Sequence, residues 1–183
     1  MTLPTSLLVG AGGLATLGLL PFAFSRHVHV ERSAVLDASP SDVLALAASN
    51  AGYQRFNPYC DVDPNLNIEL FGPDAGVGSG FRFDGKDGRG TQTVAAVEDD
   101  AVTYSIDLGA MGTPTQRVKV EPVAGGTRVT WSMDADLGRN PIARVFGLFM
   151  DRMMGTIFER GLRNLGTATS TSTSTSTSTA TAA

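Results

Sequence analysis

The feature that most constrains the fold of this chain is the long amphipathic run over residues 141–165. Apolar side chains recur in it at three- and four-residue spacing, at Ile142, Val145, Phe146, Phe149, Met150, Met153 and Ile157. This spacing predicts one helix with a face for burial, which Asn140 can cap and Gly166 can end. At about 1.5 Å per residue the helix is roughly 37 Å long, so it can cover a small sheet.

The residues before this helix are typical of a sheet. A first strand at 28–37 leads into two predicted short helices, at 40–51 and 53–56. Six further strands follow, separated by glycine-rich and acidic turns, at 68–71, 80–84, 88–98, 101–108, 115–123 and 127–136. Period-two alternation gives these strands one apolar face, and their order predicts an antiparallel meander. We therefore expect an α+β fold in which an antiparallel sheet of about seven strands packs against the long helix.

The two ends of the chain differ from this central domain, which we place at residues 27–166. Residues 3–24 carry no charged side chain and are long enough to span a bilayer, so we expect a single-pass membrane anchor over residues 1–26. A cleavable signal segment is the alternative. Arg26 on its C-terminal flank favours a cytoplasmic domain by the positive-inside rule. The Thr–Ser alternation of residues 167–183 predicts a disordered tail.

Composition excludes several classes of function. The net charge is −4, and no Lys/Arg cluster provides the basic face that nucleic-acid binding needs. A single cysteine rules out an internal disulfide. Residues 10–15 match the dinucleotide fingerprint G-x-G-x-x-A, but the strand–helix alternation of a nucleotide-binding sheet is missing downstream. We therefore expect no nucleic-acid partner and no cofactor.

The local sequence resembles the SRPBCC (START-like, helix-grip) superfamily. The similarity lies in Val30-Glu31-Arg32-Ser33 with Ala38-Ser39-Pro40-Ser41-Asp42-Val43, in Tyr53-Gln54-Arg55-Phe56-Asn57-Pro58-Tyr59, in Gly125-Gly126-Thr127-Arg128-Val129-Thr130-Trp131, and in Phe158-Glu159-Arg160-Gly161-Leu162-Arg163-Asn164-Leu165. It covers residues 28–166 and is strongest with the polyketide cyclase/dehydrase-type branch. The resemblance implies a helix-grip fold with a cavity between the sheet and the C-terminal helix.

Nine residues are candidates to line that cavity: Phe81, Phe83, Tyr104, Trp131, Met133, Phe146, Met150, Met153 and Ile157. The alternative is that they simply form the core. Tyr104 is the best inward-facing polar group and the one candidate acid. His27 and His29 share a strand face, but no further ligands at suitable spacing accompany them, so we expect no metal site.

The resulting functional hypothesis is membrane-tethered binding of a hydrophobic small molecule or lipid in the cavity. One alternative is a cyclase, dehydrase or hydrolase enzyme, which a buried and mutually bonded polar pair would favour. A second alternative is a membrane-proximal interaction module with a filled core. A packed interior combined with a large exposed apolar patch would favour that module.

Overall fold

The computed structural model describes the backbone of residues 25–179 and the side chains of residues 25–170. Within this range seven strands form one antiparallel sheet in the order β1-β7-β6-β5-β4-β3-β2. The strands are β1 (His27–Leu36), β2 (Asn67–Phe71), β3 (Gly80–Gly85), β4 (Gly88–Val97), β5 (Ala101–Asp107), β6 (Thr115–Val123) and β7 (Gly126–Asp136). The predicted meander is confirmed, and β1 closes it by pairing with β7.

Three short helices, rather than the predicted two, connect β1 to β2 in the described chain. They are α1 (Pro40–Ala48), α2 (Asn50–Gln54) and α3 (Pro58–Val62). The Ser49 hydroxyl accepts from Gly52 N and so begins a new helix at Asn50. The Asn57 side chain accepts from Tyr59 N and starts α3 at Pro58, which sequence reasoning took as the end of a helix.

The long helix α4 (Pro141–Thr179) lies against β1. Asn140 caps it as predicted, since its side chain accepts from Ile142 N at 3.0 Å. The helix does not end at Gly166 but continues along the Thr–Ser repeat, and Ala168 and Thr169 are buried. The division into a domain and a tail at residue 166 stays a prediction.

Trp131 on β7 is the centre of the core. Its ring is stacked on Phe158 of α4, with centroids 5.2 Å apart and planes at 9°. Tyr53 and Phe56 pack edge-on against the same indole, at 6.0 and 5.7 Å. Any side chain at Gly161 would collide with the Trp131 ring, so glycine is what allows the helix to lie this close to the sheet.

The large apolar side chains in the first half of α4 do not form the buried face that their spacing predicted. Five of them are 37–78% exposed, and we call these five the exposed apolar stripe: Ile142, Val145, Phe146, Phe149 and Met153. The face turned to the sheet instead carries Gly155, Phe158, Gly161 and Leu165. Small residues on that side bring the helix close to Arg32 and Trp131, which leaves the bulkier side chains on the outside.

The predicted membrane localisation is wrong. No helix within residues 25–179 is both long and apolar enough to cross a bilayer. The helix α4 has the length, but Arg144, Asp151 and Arg152 interrupt its apolar half and Thr and Ser fill its end. The anchor and the fingerprint at 10–15 both concern residues that lie outside the described part of the chain.

Replacing Gly161 with alanine should destabilise the fold by about 1–3 kcal/mol, because the added methyl meets an indole ring that Phe158 holds in place. Urea unfolding followed by Trp131 fluorescence measures the change. Gly166→Ala is the matched control, since its new Cβ lies 3.3 Å from the flexible Leu36 Cδ2 and removes a helical glycine. We expect the control to be neutral or stabilising, and equal losses in both variants would contradict the close packing at Trp131.

Candidate functional site

The nine candidate lining residues separate into two groups. Phe81, Tyr104, Trp131 and Met133 on the sheet are only 1–5% exposed, while Phe83 is partly buried. On α4, Met150 and Ile157 are partly buried against the core, whereas Phe146 and Met153 are about half exposed. The structure therefore brings the sheet residues together as a packed core, with Phe83, Met150 and Ile157 at its edge.

Two cavities bear on the expected binding site. A small, partly open void of about 10 Å³ lies among α1, α2 and strands β3–β5, where Tyr53, Phe81, Gln92 and Tyr104 line it. This volume holds about one water molecule. The larger concavity, of about 340 Å³, is open, and its lining includes Glu69, Arg82, Asp84 and Arg89. Of the nine candidate lining residues only Phe83 borders this open concavity, where it lies among charged side chains, and the apolar interior is almost filled.

The Tyr53 hydroxyl is the unusual group at the small void. It is fully buried and makes no hydrogen bond within the described chain, as is also true of the nearby Gln54 Nε2. Burial raises the pKa of Tyr53. The Gln92 amide lies close enough to oppose that rise, but it does not reach hydrogen-bonding geometry with the hydroxyl. An unpaired buried hydroxyl costs about 1–3 kcal/mol. A water or a polar ligand group in the void would therefore be stabilised there.

Tyr104, the one candidate acid, has its hydroxyl occupied. It donates to the Ala47 carbonyl oxygen at 2.7 Å, which ties β5 to the end of α1. Burial raises the pKa of Tyr104 well above its usual range and raises that of Tyr59 to about 12. These phenols keep their protons at neutral pH. An acid role for Tyr104 stays a prediction that this geometry does not favour.

Sequence reasoning missed two inward-facing glutamines. Gln92 on β4 and Gln116 on β6 are 5% and 2% exposed, and the Gln116 Oε1 accepts a hydrogen bond from Trp131 Nε1 at 3.0 Å. The alternation of inward and outward residues along each strand could have revealed them, since Gln92 shares a strand face with Val94 and Gln116 shares one with Val118. The Gln116–Trp131 pair is buried and bonded, but neither group ionises at neutral pH, so it can orient a ligand without transferring protons.

Sequence reasoning also missed a charged contact between the sheet and the helix. Arg32 on β1 faces α4 and pairs with Asp151 at 3.0 Å and Glu159 at 3.3 Å. Its guanidinium lies against Gly155, where no side chain would fit without displacing it. The pairing raises the pKa of Arg32 and lowers that of Asp151. Asp151 and Glu159 thus help to fix α4 on β1.

His27 and His29 do not belong to a metal cluster in the described residues, where no group of three suitable ligands is found. The His29 Nδ1 instead lies 2.7 Å from Asp134 Oδ1 across the β1–β7 pair, with Glu31 3.7 Å from Nε2. The hydrogen bond to Asp134 is the main cause of a raised His29 pKa.

A seven-stranded antiparallel sheet with a long C-terminal helix across it and short helices after the first strand defines a helix-grip protein. A family model described as "Polyketide cyclase / dehydrase and lipid transport" matches residues 27–169, so the chain belongs to that family and to the SRPBCC superfamily. Its fold is therefore that of a family of hydrophobic-ligand-binding proteins. A search of curated proteins finds no match.

Solved structures share this fold at low sequence identity. The di-domain aromatase/cyclase StfQ from the steffimycin biosynthetic pathway is 12% identical, with a TM-score of 0.59 over 81% of this chain and 52% of StfQ. This chain thus spans about half of StfQ. The KanY protein is 16% identical, with a TM-score of 0.59 over 79% of this chain and 98% of its own. A Thalictrum norcoclaurine synthase is 13% identical, with a TM-score of 0.57 over 76% of this chain and 94% of its own.

The two buried tyrosines should respond differently to loss of the hydroxyl. We expect Tyr104→Phe to cost about 1–3 kcal/mol, because it leaves the Ala47 carbonyl without its donor. Tyr53→Phe should be neutral or slightly stabilising, because it removes a hydroxyl with no partner. Chemical denaturation of both variants gives the comparison. A loss in Tyr53→Phe as large as in Tyr104→Phe would mean that the Tyr53 hydroxyl is bonded.

His29 should titrate above its ordinary pKa, and Asp134→Asn should bring its pKa down. Since the folded-state pKa is raised, the stabilisation is complete below the unfolded pKa of about 6.5 and is lost as pH rises through the folded value. The pair should contribute only about 0.3 kcal/mol to the free energy of unfolding, because both side chains are more than half exposed. Imidazole proton NMR of the wild type and the variant measures the shift, and identical titration curves would contradict the pair.

Proposed function

We propose that this protein binds a molecule with a mainly apolar body and one polar group between the sheet and the middle turns of α4. The class of ligand is a hydrophobic small molecule or lipid, which agrees with the family description. The observation that carries the proposal is the unpaired Tyr53 hydroxyl, which is fully buried beside a small void. A ligand that brings an acceptor to this hydroxyl removes the cost of leaving it unbonded.

A path of aromatic rings leads from Tyr53 to the edge of the core. The Tyr53 and Phe81 centroids are 5.3 Å apart, and those of Phe81 and Phe83 are 6.3 Å apart. Phe83 is partly exposed, so the path ends near solvent. A ligand that follows it would hold its polar group at Tyr53 and its apolar body along Phe81 and Phe83.

The inner side of α4 supplies adaptable side chains for the apolar body. Met150, Met154 and Ile157 are partly buried against the core. Methionine is flexible and polarizable, so it fits ligands of different shape. Because the void itself holds only about one water, binding requires these methionines and the two phenylalanines to change rotamer. Ligand entry is therefore coupled to a local opening under α4.

Catalysis in the same interior has less support. The tyrosines that surround it are kept protonated by burial, and the buried Gln116–Trp131 pair offers hydrogen bonds only. A cyclase or dehydrase could still use such groups to orient a substrate, but a hydrolase needs a base or nucleophile. Binding is the function that these side chains favour.

The filled interior and the exposed apolar stripe together favour a second role, as a contact surface. This role is that of the interaction module named in the sequence analysis, except that no position near a membrane is included. The two roles use different sides of α4. Ligand binding concerns Met150 and Ile157 on the inner side, while the contact concerns Ile142 and Phe149 on the outer side.

Ligand binding can be tested with oleic acid and 1,4-naphthoquinone as lipid and aromatic probes. Native mass spectrometry gives the stoichiometry, and the indole N–H resonance of Trp131, the one tryptophan in the sequence, reports on the interior. We expect one equivalent of at least one probe to bind and to shift this resonance. If neither probe binds, or if binding leaves the Trp131 signal unmoved, the interior site is wrong.

Three variants locate the site. Ile157→Phe fills the inner side of α4 and should weaken binding about tenfold, since overpacking costs about 1–3 kcal/mol. Leu148→Phe adds the same ring at an exposed position of the same helix and should leave binding unchanged. Tyr53→Phe should weaken binding about fivefold, as expected for one hydrogen bond of about 1 kcal/mol. Equal effects of Ile157→Phe and Leu148→Phe would contradict this location.

A further inference from the structure

The exposed apolar stripe lies on the side of α4 that faces away from the sheet. A Cβ at Gly155 would meet the Arg32 guanidinium on the sheet side. A Cβ at Gly161 would meet the Trp131 ring on the same side. At about 100° of rotation per residue, the centre of the stripe is roughly 160° around the helix from these two glycines. The stripe therefore points outward, where another molecule can reach it.

Four large side chains of the stripe form a seam whose spacing is the same in both directions. Ile142, Phe146, Phe149 and Met153 are 47–78% exposed and follow one another at intervals of four, three and four residues. This alternation is the a/d repeat along which helices pair in coiled coils. Because the intervals are symmetric, an antiparallel second α4 would place Ile142 against Met153 of the second copy. Phe146 would face Phe149 in the same way.

Charged side chains do not interrupt the seam. Three of them lie between its two ends in the sequence. Asp151 pairs with Arg32, and Arg144 donates to the Gly138 carbonyl oxygen. Arg152 borders the seam, but in an antiparallel pair it would lie roughly 13 Å along the helix axis from Arg152 of the second copy, beyond the screening length of about 8 Å. The seam can therefore be buried without desolvating a charged group.

The area of the stripe fits a small interface between two copies. Its apolar surface is on the order of several hundred Å², at which a patch usually marks a contact. Two copies together would bury roughly 1,000 Å², which is at the lower end for a specific interface. The stacking of Trp131 on Phe158 already holds α4 on the sheet, so no helix has to form on binding. This lowers the entropic cost of the contact.

We propose that the exposed apolar stripe is a two-fold interface at which a second copy of this chain docks its α4 in the antiparallel direction. The proposal names the partner for the contact role described above and rests on that role, but it does not depend on ligand binding under the inner side of α4. A two-fold contact uses the same surface on both copies, and the symmetric seam meets that requirement by itself. For an interface of this size we expect a dissociation constant on the order of 10 μM.

Sedimentation velocity of the full-length protein tests the pairing. We expect mainly monomer at about 1 μM and mainly dimer at about 200 μM. Phe149→Glu puts a carboxylate into the seam of each copy and should weaken association about a hundredfold. Leu148→Glu is the matched control, because it adds the same charge at a neighbouring residue that is 57% exposed and lies off the seam. A wild type that stays monomeric, or equal effects of the two variants, would overturn the proposal.

Mixing two variants tests the direction of the helices. Phe146→Lys should weaken association as Phe149→Glu does. In an antiparallel pair of one chain of each variant, the introduced lysine meets the introduced glutamate and the two unchanged phenylalanines face each other. The mixture should therefore dimerise more tightly than either variant alone, whereas a parallel pair would gain nothing. An absence of recovery on mixing would overturn the antiparallel interface.

Peroxide oxidation separates failure of this pairing from failure of the contact role itself. Met153 on the seam should oxidise more slowly at about 200 μM than at about 1 μM, while Met111, which is 68% exposed outside α4, should react equally at both. A monomer in which Met153 is much slower than Met111 would overturn the second copy and keep the contact role. A monomer in which both react at similar rates would overturn both.

Discussion

The stacking of Trp131 on Phe158 determines how close α4 lies to the sheet. Because Gly161 offers no side chain, the indole ring fills the space between helix and strand, and Tyr53 and Phe56 close around it. A larger cavity between the sheet and the helix would need α4 to lie farther from the sheet beside Trp131. The stacking of Trp131 on Phe158 holds the helix close, because a gap between the two rings would remove their dispersion attraction. The filled space between Trp131 and the helix follows from that packing.

The ion pairs of Arg32 extend this attachment along α4 toward its start. Asp151 and Glu159 lie two turns apart on the helix, with Gly155 between them, and both contact the same guanidinium. Each pair is partly exposed and contributes little alone, but a shared cation fixes the rotation of the helix as well as its position. With this rotation fixed, the side chains of the exposed apolar stripe cannot turn inward. The stripe is therefore a consequence of how Asp151, Phe158 and Glu159 are anchored to the sheet.

The sheet was predictable because strand alternation and turn residues are local signals. Each predicted strand is present within a residue or two of its bounds, and the inward positions of Val102, Val118 and Trp131 follow from period two. The side of α4 that packs was not predictable from size and hydrophobicity, since the helix uses Gly155 and Gly161 to approach Arg32 and Trp131. The bonding of Tyr104 and the isolation of Tyr53 depend on contacts between distant elements, which no local pattern encodes.

Ligand binding and the contact role of the exposed apolar stripe meet at the middle turns of α4. A ligand beside Met150 and Ile157 would press on the inner side of the turns whose outer side carries Phe149 and Met153. Because Arg32 and Trp131 fix the helix between Asp151 and Gly161, an opening under Met150 has to displace the turns before Asp151. Such a displacement moves part of the exposed apolar stripe, because Phe146 and Phe149 lie on those turns. By linkage, any contact on the stripe that favours one position of these turns must change ligand affinity by the same factor by which the ligand changes the affinity of that contact.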